Sequence, residues 1–256
     1  MPGPEIMTAP RNILLMTSTI APKAGTFALK RADPADRLND YVKALTFYAG
    51  ETRRGVFDAL VYVDNSGHSL EALRDAAARA GVAEKAEFVS YEADLPVEFS
   101  RYYLEAHLLI EAMNRSAVLR AAGEAAIWKV TGRYIVENVA EIVRTQPASF
   151  DLYLNLRNSP ERVVDFFLAA FRKDAFWKTV GRDIEDYRTT EAGEKILRRK
   201  IDDGAFSELR IVPRLVRTPK VFGVRGFDGA SYGGLKHQAK FYLRAAANRA
   251  LPWLWI

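Results

Sequence analysis

Apolar residues in the first half of this chain fall into short continuous runs, separated by longer stretches with helical spacing. Ile13-Leu14-Leu15-Met16 anchors a predicted strand over 12–20. Further strands are predicted over 57–63, 86–91 and 125–130. Leu38, Tyr41, Val42, Leu45 and Phe47 recur at helical spacing and predict a helix over 36–48. A second helix is predicted over 69–80, capped by Ser66 or Ser69 and stopped by Gly81. A long third one covers 99–119 and carries Tyr103, Leu104, His107, Leu108, Ala112 and Met113; a fourth covers 136–144. Strands that are apolar throughout are covered on both faces. Regular alternation of such strands with helices argues for a parallel sheet with helices on both sides.

Beyond residue 150 the pattern changes. A strand is predicted over 150–156 and a helix over 159–171, with Pro160 in its first turn. Residues 176–206 mix helix with charged turns, and 210–224 are basic, Pro-broken and partly extended. A Gly-rich loop follows over 226–234. The last element is a basic helix over 235–250, closed by Leu251-Pro252-Trp253-Leu254-Trp255-Ile256. The expected division is a domain over 1–234 and a basic helical extension with a Trp-containing tail over 235–256. There is no internal repeat and no low-complexity segment.

Composition narrows the chemistry. The 256 residues suffice for one large α/β domain or two small ones, and 49% apolar with 27% charged residues is ordinary for a globular protein. The absence of cysteine excludes disulfides and thiolate metal sites. His68, His107 and His237 are scattered, which argues against a histidine metal site. Residues 1–10 lack a basic flank before an apolar run, and no apolar stretch approaches membrane-spanning length; a cytoplasmic location is expected. Charge is uneven. Residues 210–256 carry nine Lys and Arg against the single acid Asp228, a net +8, so the remainder sums to −3 within the overall +5. A localised basic stretch calls for an anionic partner: a phosphate, a nucleic acid or a lipid surface.

Two strand tips carry candidate chemistry. Val63-Asp64-Asn65-Ser66-Gly67 places a carboxylate and an amide beyond a buried strand. Asp64 there can accept hydrogen bonds from a base or ribose; equally, Asp64 or Ser66 can cap the following helix. No GxGxxG or GxxxxGK[ST] pattern is present, which disfavours a dinucleotide or P-loop site. The second tip is Ile127-Trp128-Lys129-Val130-Thr131-Gly132-Arg133-Tyr134. Alternation puts Lys129, Thr131 and Arg133 on one side, opposite Trp128, Val130 and Gly132. Arg offers bidentate contacts to phosphate oxygens and Lys a point charge.

The order of a strand, Thr17-Ser18, a helix, Val63-Asp64-Asn65-Ser66-Gly67 and another helix resembles the N-terminal half of GT-A-class glycosyltransferases. In the large inverting family of that class a similar Val-Asp-Asn turn contacts the nucleobase of a nucleotide-sugar. Those enzymes usually carry a later Asp-x-Asp that holds a divalent metal on the diphosphate. Here Lys129-Val130-Thr131-Gly132-Arg133-Tyr134 stands in that place. It is similar to a group of bacterial polysaccharide and lipopolysaccharide glycosyltransferases with a Lys-x-Thr-Gly-Arg-Tyr motif. Glu105, Asn138 and the stretch from Gly223 through Gly226, Asp228 and Gly229 to Tyr232 extend the resemblance over most of the chain.

The resemblance implies a GT-A-like (Rossmann-type) α/β fold: a mostly parallel central sheet, helices on both faces and the basic C-terminal helical extension. It implies donor-binding roles for Thr17, Ser18, Asp64, Asn65, Lys129, Thr131, Gly132 and Arg133, with Glu105, Asp228 and Tyr232 as further candidates. The expected donor is a nucleotide-sugar, and the expected acceptor a cell-surface polysaccharide or lipid-linked glycan. No metal cofactor is expected, because fixed cations can neutralise a departing diphosphate as a metal does.

Inverting transfer needs a carboxylate to take the acceptor's proton. Asp183, Glu185 and Asp186, with Glu191 nearby, lie where GT-A enzymes often place this base, and the sequence does not rank them. Glu111 reads as a solvated acid. The loop over 226–234 is either a lid over the site or a turn into the last helix. Basic residues with Trp253 and Trp255 fit docking at an anionic membrane, on the inner face of the cytoplasmic membrane; a helix packed on the core by its aromatics is the alternative. No recognition helix or aromatic platform accompanies the charge, so nucleic acid is not the expected partner. Two rival classes stay open: a nucleic-acid-binding protein using the basic tail, and a catalytically silent scaffold of a glycan-assembly complex.

Overall fold

A computed structural model describes residues 12–26, 29–226, 228–251 and 253–256. Residues 1–10, Phe227 of the Gly-rich loop and Pro252 of the tail therefore lie outside the described residues. The first half runs β1 (Asn12–Ser18), α1 (Pro34–Arg53), β2 (Ala59–Asp64), α2 (Glu71–Arg79), β3 (Ala86–Ser90), α3 (Arg101–Arg115), α4 (Ala117–Arg120) and β4 (Ala126–Thr131). The second half runs β5 (Ile135–Val136), α5 (Val139–Arg144), β6 (Leu152–Tyr153), β7 (Leu156–Arg157), β8 (Val163–Val164), β9 (Leu168–Phe171) and α6 (Lys173–Phe176). It ends with α7 (Gly193–Asp202), β10 (Ile211–Val212), β11 (Val221–Phe222) and α8 (Leu235–Ala250).

Seven strands form the central sheet in the order β10-β6-β9-β4-β1-β2-β3. β9 runs antiparallel to both neighbours, and all other pairs are parallel. Successive side chains of β1 point to opposite faces. Ile13 and Leu15 join a core built with α3, α4, α6 and α7, whereas Leu14 and Met16 join one built with α1, α2 and α5. The sheet is thus covered on both faces, as continuous apolar strands require. Each fully buried Leu, Ile or Val in these layers contributes about 1.5–3 kcal/mol.

Local signals explain most boundaries. α1 begins earlier than its apolar spacing predicts, because Asp33 caps it by accepting from the Asp36 amide at 2.9 Å and Pro34 occupies its first turn. The long helix predicted over 99–119 is interrupted at Ser116. There the backbone is extended, and the Ser116 hydroxyl accepts from the Leu119 amide at 3.0 Å to start α4. α8 spans the predicted residues.

The helix predicted over 159–171 does not form. Val163-Val164 and Leu168–Phe171 are strands instead, and β9 inserts between β4 and β6 with every residue buried. A short apolar run reads equally as strand or buried helix, and tertiary pairing decides. The tail also differs from expectation. Trp253 is exposed, but Trp255 is buried, donates from Nε1 to Asn155 Oδ1 at 2.8 Å and lies under Arg214.

Candidate active site

The strand order reverses between β1 and β4: β2 and β3 lie to one side of β1, while β4 continues on the other. Ligands of open α/β sheets bind at such a switch point, outside the carboxyl ends of the strands. Register brings the predicted tips level, with Thr17 beside Val63 and Thr131, and Ser18 beside Asp64. A cleft of about 640 Å³ opens there, within the range of small-molecule sites. Thr17, Ser18, Asn65, Glu105, Thr131, Arg133 and Tyr232 line it. Asp64, Lys129, Gly132, Asp183, Glu185, Asp186 and Asp228 do not.

Asp64 is fully buried. Its Oδ2 accepts from the Ser18 hydroxyl and the Ile20 amide, both at 2.8 Å. Its Oδ1 accepts from the Ser66 amide at 2.8 Å and the Ser66 hydroxyl at 2.5 Å. Four donors thus saturate the carboxylate, which ties the loop after β1 to the turn after β2. Its neighbours Asn65 and Ser66 face the cleft in its place, held by Thr19 Oγ1 donating to Asn65 Oδ1 at 2.6 Å and the Ala21 amide donating to Ser66 Oγ at 3.1 Å.

Lys129 is also fully buried. Its ammonium lies 2.6 Å from Glu105 Oε1, and it donates to Thr131 Oγ1 at 3.1 Å and the Phe166 carbonyl at 2.5 Å. Burial pulls Lys129 below the ordinary lysine value, and Glu105 opposes that shift. Glu105 Oε1 further accepts from Thr17 Oγ1 at 2.9 Å and Thr131 Oγ1 at 3.3 Å. The lysine therefore positions Glu105, Thr131 and Thr17 from beneath the cleft floor. The groups at the β4 tip do not fit a divalent cation, because Glu105, which reaches them from α3, is already engaged by Lys129 and the tip itself carries Thr131 and Arg133.

Gly132 lets two strand tips meet. A Cβ there would lie 2.6 Å from the Thr17 carbonyl, which accepts from the Gly132 amide at 2.9 Å. The turn also ends the alternation expected for Lys129, Thr131 and Arg133. Lys129 and Thr131 share the Glu105 side, whereas the Arg133 guanidinium lies 5.9 Å from the ring of Tyr41, in the opposite core layer. Arg133 Nε and Nη1 are buried with no hydrogen-bond partner among the described residues. Arg37 lies close by, donating to the Thr19 carbonyl at 2.7 Å and the Tyr41 hydroxyl at 3.0 Å. Burial lowers Arg37 below the ordinary arginine value, and the Arg133 charge adds to that. Two neighbouring guanidiniums, one with unsatisfied donors, make a site that an anion would complete.

The loop after β11 closes on this group. Gly226 O accepts from the Lys30 and Arg31 amides at 3.0 Å, and the Tyr232 ring meets Tyr134 edge-on at 5.4 Å. Asp228 stays within the loop, paired with Arg225 at 2.5 Å. A Cβ at Gly226 would lie 2.8 Å from Arg133 Nη2. Gly226→Ala should therefore push the guanidinium aside while the fold holds. We expect a melting temperature within a few degrees of the parent and about tenfold weaker binding of a nucleoside diphosphate, a loss of ~1.4 kcal/mol, measured by calorimetry. Unchanged affinity would show that Arg133 does not hold the ligand.

The predicted base candidates sit elsewhere. Asp183 pairs with Arg182 and Lys200, both at 2.8 Å, Asp186 pairs with Lys200, and Glu185 pairs with Arg188 at 3.7 Å. Burial alone would raise Asp183, but hydrogen bonds from Arg182 and Lys200 hold it below the usual carboxylate range. Glu191 pairs with Arg199 at 2.6 Å and Glu111 with Arg115 at 2.6 Å. The cleft instead presents Glu194, in the first turn of α7, and Asp165, which Arg157 pairs at 3.0 Å. Burial pushes both carboxyls up, and the Glu105 charge pushes Glu194 further.

No family model and no curated protein matches the chain. Solved structures do. A nucleoside-diphosphate-sugar pyrophosphorylase from Vibrio cholerae superposes with a TM-score of 0.50 over 90% of this chain and 98% of that one, at 10% identity. The fold is GT-A-like. A protein from Desulfovibrio desulfuricans, provisionally named a nucleotide-diphospho-sugar transferase, gives 0.43 over 79% and 78% at 12% identity. A mannosyltransferase from Pyrobaculum calidifontis, solved with GDP-Man and Mn2+, gives 0.47 over 98% of this chain and 66% of its own at 13% identity. At these identities the likeness is one of fold, and no residue role carries over. Among the residues that line the cleft, sequence reasoning missed Glu194, Asp165 and Arg37. The visible signal for Glu194 was an acid opening a helix after Ala192-Gly193; nothing in the spacing joins it to Glu105.

Proposed function

We propose that this chain transfers a sugar from a nucleotide-sugar to a hydroxyl of a cell-surface glycan or its lipid-linked precursor. The observation that carries this is Arg133, whose buried donors, without a hydrogen-bond partner among the described residues, stand at the switch-point cleft beside Arg37. In this reading Asn65 and Ser66 face the nucleoside and Arg133 holds the diphosphate. The bond from the anomeric carbon to the diphosphate oxygen breaks as the acceptor oxygen bonds to that carbon. The acceptor's proton passes to Glu194, and the nucleoside diphosphate leaves with the electron pair. Burial keeps Glu194 more basic than an exposed glutamate, which suits a general base. Asp183, held low by two cations, suits it less.

Calorimetry with uridine, guanosine, cytidine and adenosine diphosphates, and with cytidine monophosphate, tests the donor; no binding to any of them sinks the proposal. Arg133→Ala should lower nucleotide-sugar turnover about 10²–10³-fold, the cost of losing one fixed donor to developing charge. Turnover should survive a chelator, since the cations replace a metal. Restoration by manganese after chelation would overturn that part alone. A second reading, transfer of a nucleotidyl group to a sugar phosphate, follows the name of the Vibrio cholerae protein. Release of pyrophosphate from a nucleoside triphosphate, in place of nucleoside diphosphate from a nucleotide-sugar, distinguishes it.

A further inference from the structure

α8 turns its apolar side outward. Leu235, Ala239, Tyr242, Leu243, Ala246 and Ala250 are exposed, and their spacing of three and four residues puts them on one face. Leu235 is 86%, Leu243 72% and Tyr242 62% exposed. The opposite face carries the half-buried His237, Phe241 and Arg244 and the buried Asn248. It is tied down through polar contacts: Asn248 Nδ2 donates to Thr218 Oγ1 at 3.3 Å, and Asn248 Oδ1 accepts from the Ile256 amide at 2.9 Å. A helix that only completed the core would be oriented the other way.

This surface continues past the helix. Every large hydrophobic side chain exposed among the described residues lies between Val216 and Trp253, within the segment of net charge +8. Exposed Lys240 and Arg249 flank the apolar face on either side. Phe222 lies beside Gly233 at the start of α8, and Leu251 and Trp253, also exposed, follow its end. No helix among the described residues is long and apolar enough to cross a membrane.

We propose that α8 and Trp253 dock this protein on an anionic lipid bilayer, with the helix lying in the plane of the interface. Leu, Tyr and Trp on one face, rimmed by cations, match the hydrocarbon boundary and the negative headgroups together. A second copy fits less well. Two such faces related by a two-fold axis would bring cationic rims towards one another. The bilayer also accounts for the junction with the cleft. His237, on the inward side of α8, meets Tyr232 edge-on at 5.4 Å, and Tyr232 lines the cleft, so docking would hold the cleft wall one helix diameter, ~10 Å, from the lipid surface. That this serves a lipid-linked acceptor rests on the function proposed above; the docking itself does not.

Co-sedimentation of the full chain with vesicles tests the proposal. We expect binding to vesicles containing phosphatidylglycerol, little to pure phosphatidylcholine, and weakening as salt rises. Leu243→Glu should lower partition more than tenfold. Lys240→Glu with Arg249→Glu should lower it at least about 25-fold, since each cation contributes about fivefold near such a surface. These side chains are exposed, so the variants should melt like the parent, and nucleotide affinity measured on the same preparations should not change. Absent binding to anionic vesicles, equal binding by the variants, or a parent dimer that Leu243→Glu converts to monomer without lipid binding would each overturn docking. Vesicle binding with no nucleotide binding would instead count against the function alone.

Discussion

Glu194→Gln should lower turnover about 10²–10⁴-fold, the contribution of a positioned general base, while leaving nucleotide binding nearly intact. The amide keeps the shape of the carboxyl and removes its ability to take a proton. The pH dependence has a definite sign. Burial, reinforced by Glu105, holds the folded value above that of the unfolded chain. Turnover should therefore rise with pH through a value higher than the ordinary glutamate range of about 4.3. Stability should move the other way. Between the unfolded and folded values the native state holds the extra proton, so this group's contribution falls as pH rises across that window. At neutral pH Glu194→Gln should accordingly be more stable than the parent, as an acid retained for chemistry at a cost to folding should be. Parallel pH–rate profiles and urea melts check both halves. A variant that keeps parental turnover would remove Glu194 from the reaction, and attention would return to Asp165.

Glu105→Leu should destabilise the fold by about 3–5 kcal/mol, because it leaves a fully buried ammonium without its counter-charge. Lys129→Met should cost less. The Glu105 side chain is 24% exposed and can turn to solvent once the lysine is gone. The double variant should recover much of the loss, since two apolar side chains in contact avoid the desolvation that a lone ion pays. In Glu105→Leu, burial depresses Lys129 with only the weaker Glu194 charge to oppose it. The unfolded state then binds more protons than the native one, and stability should rise as pH climbs towards the ordinary lysine value. Urea denaturation of the three variants settles it. A Glu105→Leu cost under about 1 kcal/mol would mean the pair stabilises little.

Much of the architecture was legible because apolar pattern reports directly which residues must leave water. β1 and β2 carry uninterrupted apolar runs and β4 one broken only by Lys129, and only a sheet covered on both faces can bury them. The bounds of α8 were equally plain, since Gly234 precedes it and its apolar, basic and small residues keep a helical period to Ala250. That the two strand tips end at the carboxyl edge of the sheet was visible too, because parallel strands separated by helices bring those ends to one side.

Orientation was not legible. A sequence shows that Asp64 follows a buried strand, but not that Ser18, Ile20 and Ser66 consume its lone pairs and leave Asn65 and Ser66 to face the cleft. It places Lys129 at a strand tip, yet pairing with Glu105 on α3 draws the ammonium beneath the floor. The run over 159–171 became strand because the gap between β4 and β6 could bury all of Leu168–Phe171, a benefit no local preference encodes. The outward apolar face of α8 shows the same division. Periodicity determines which residues share a face, because that depends only on the geometry of one element. Which face meets which neighbour depends on contacts between residues far apart in the chain, and only the folded molecule decides those.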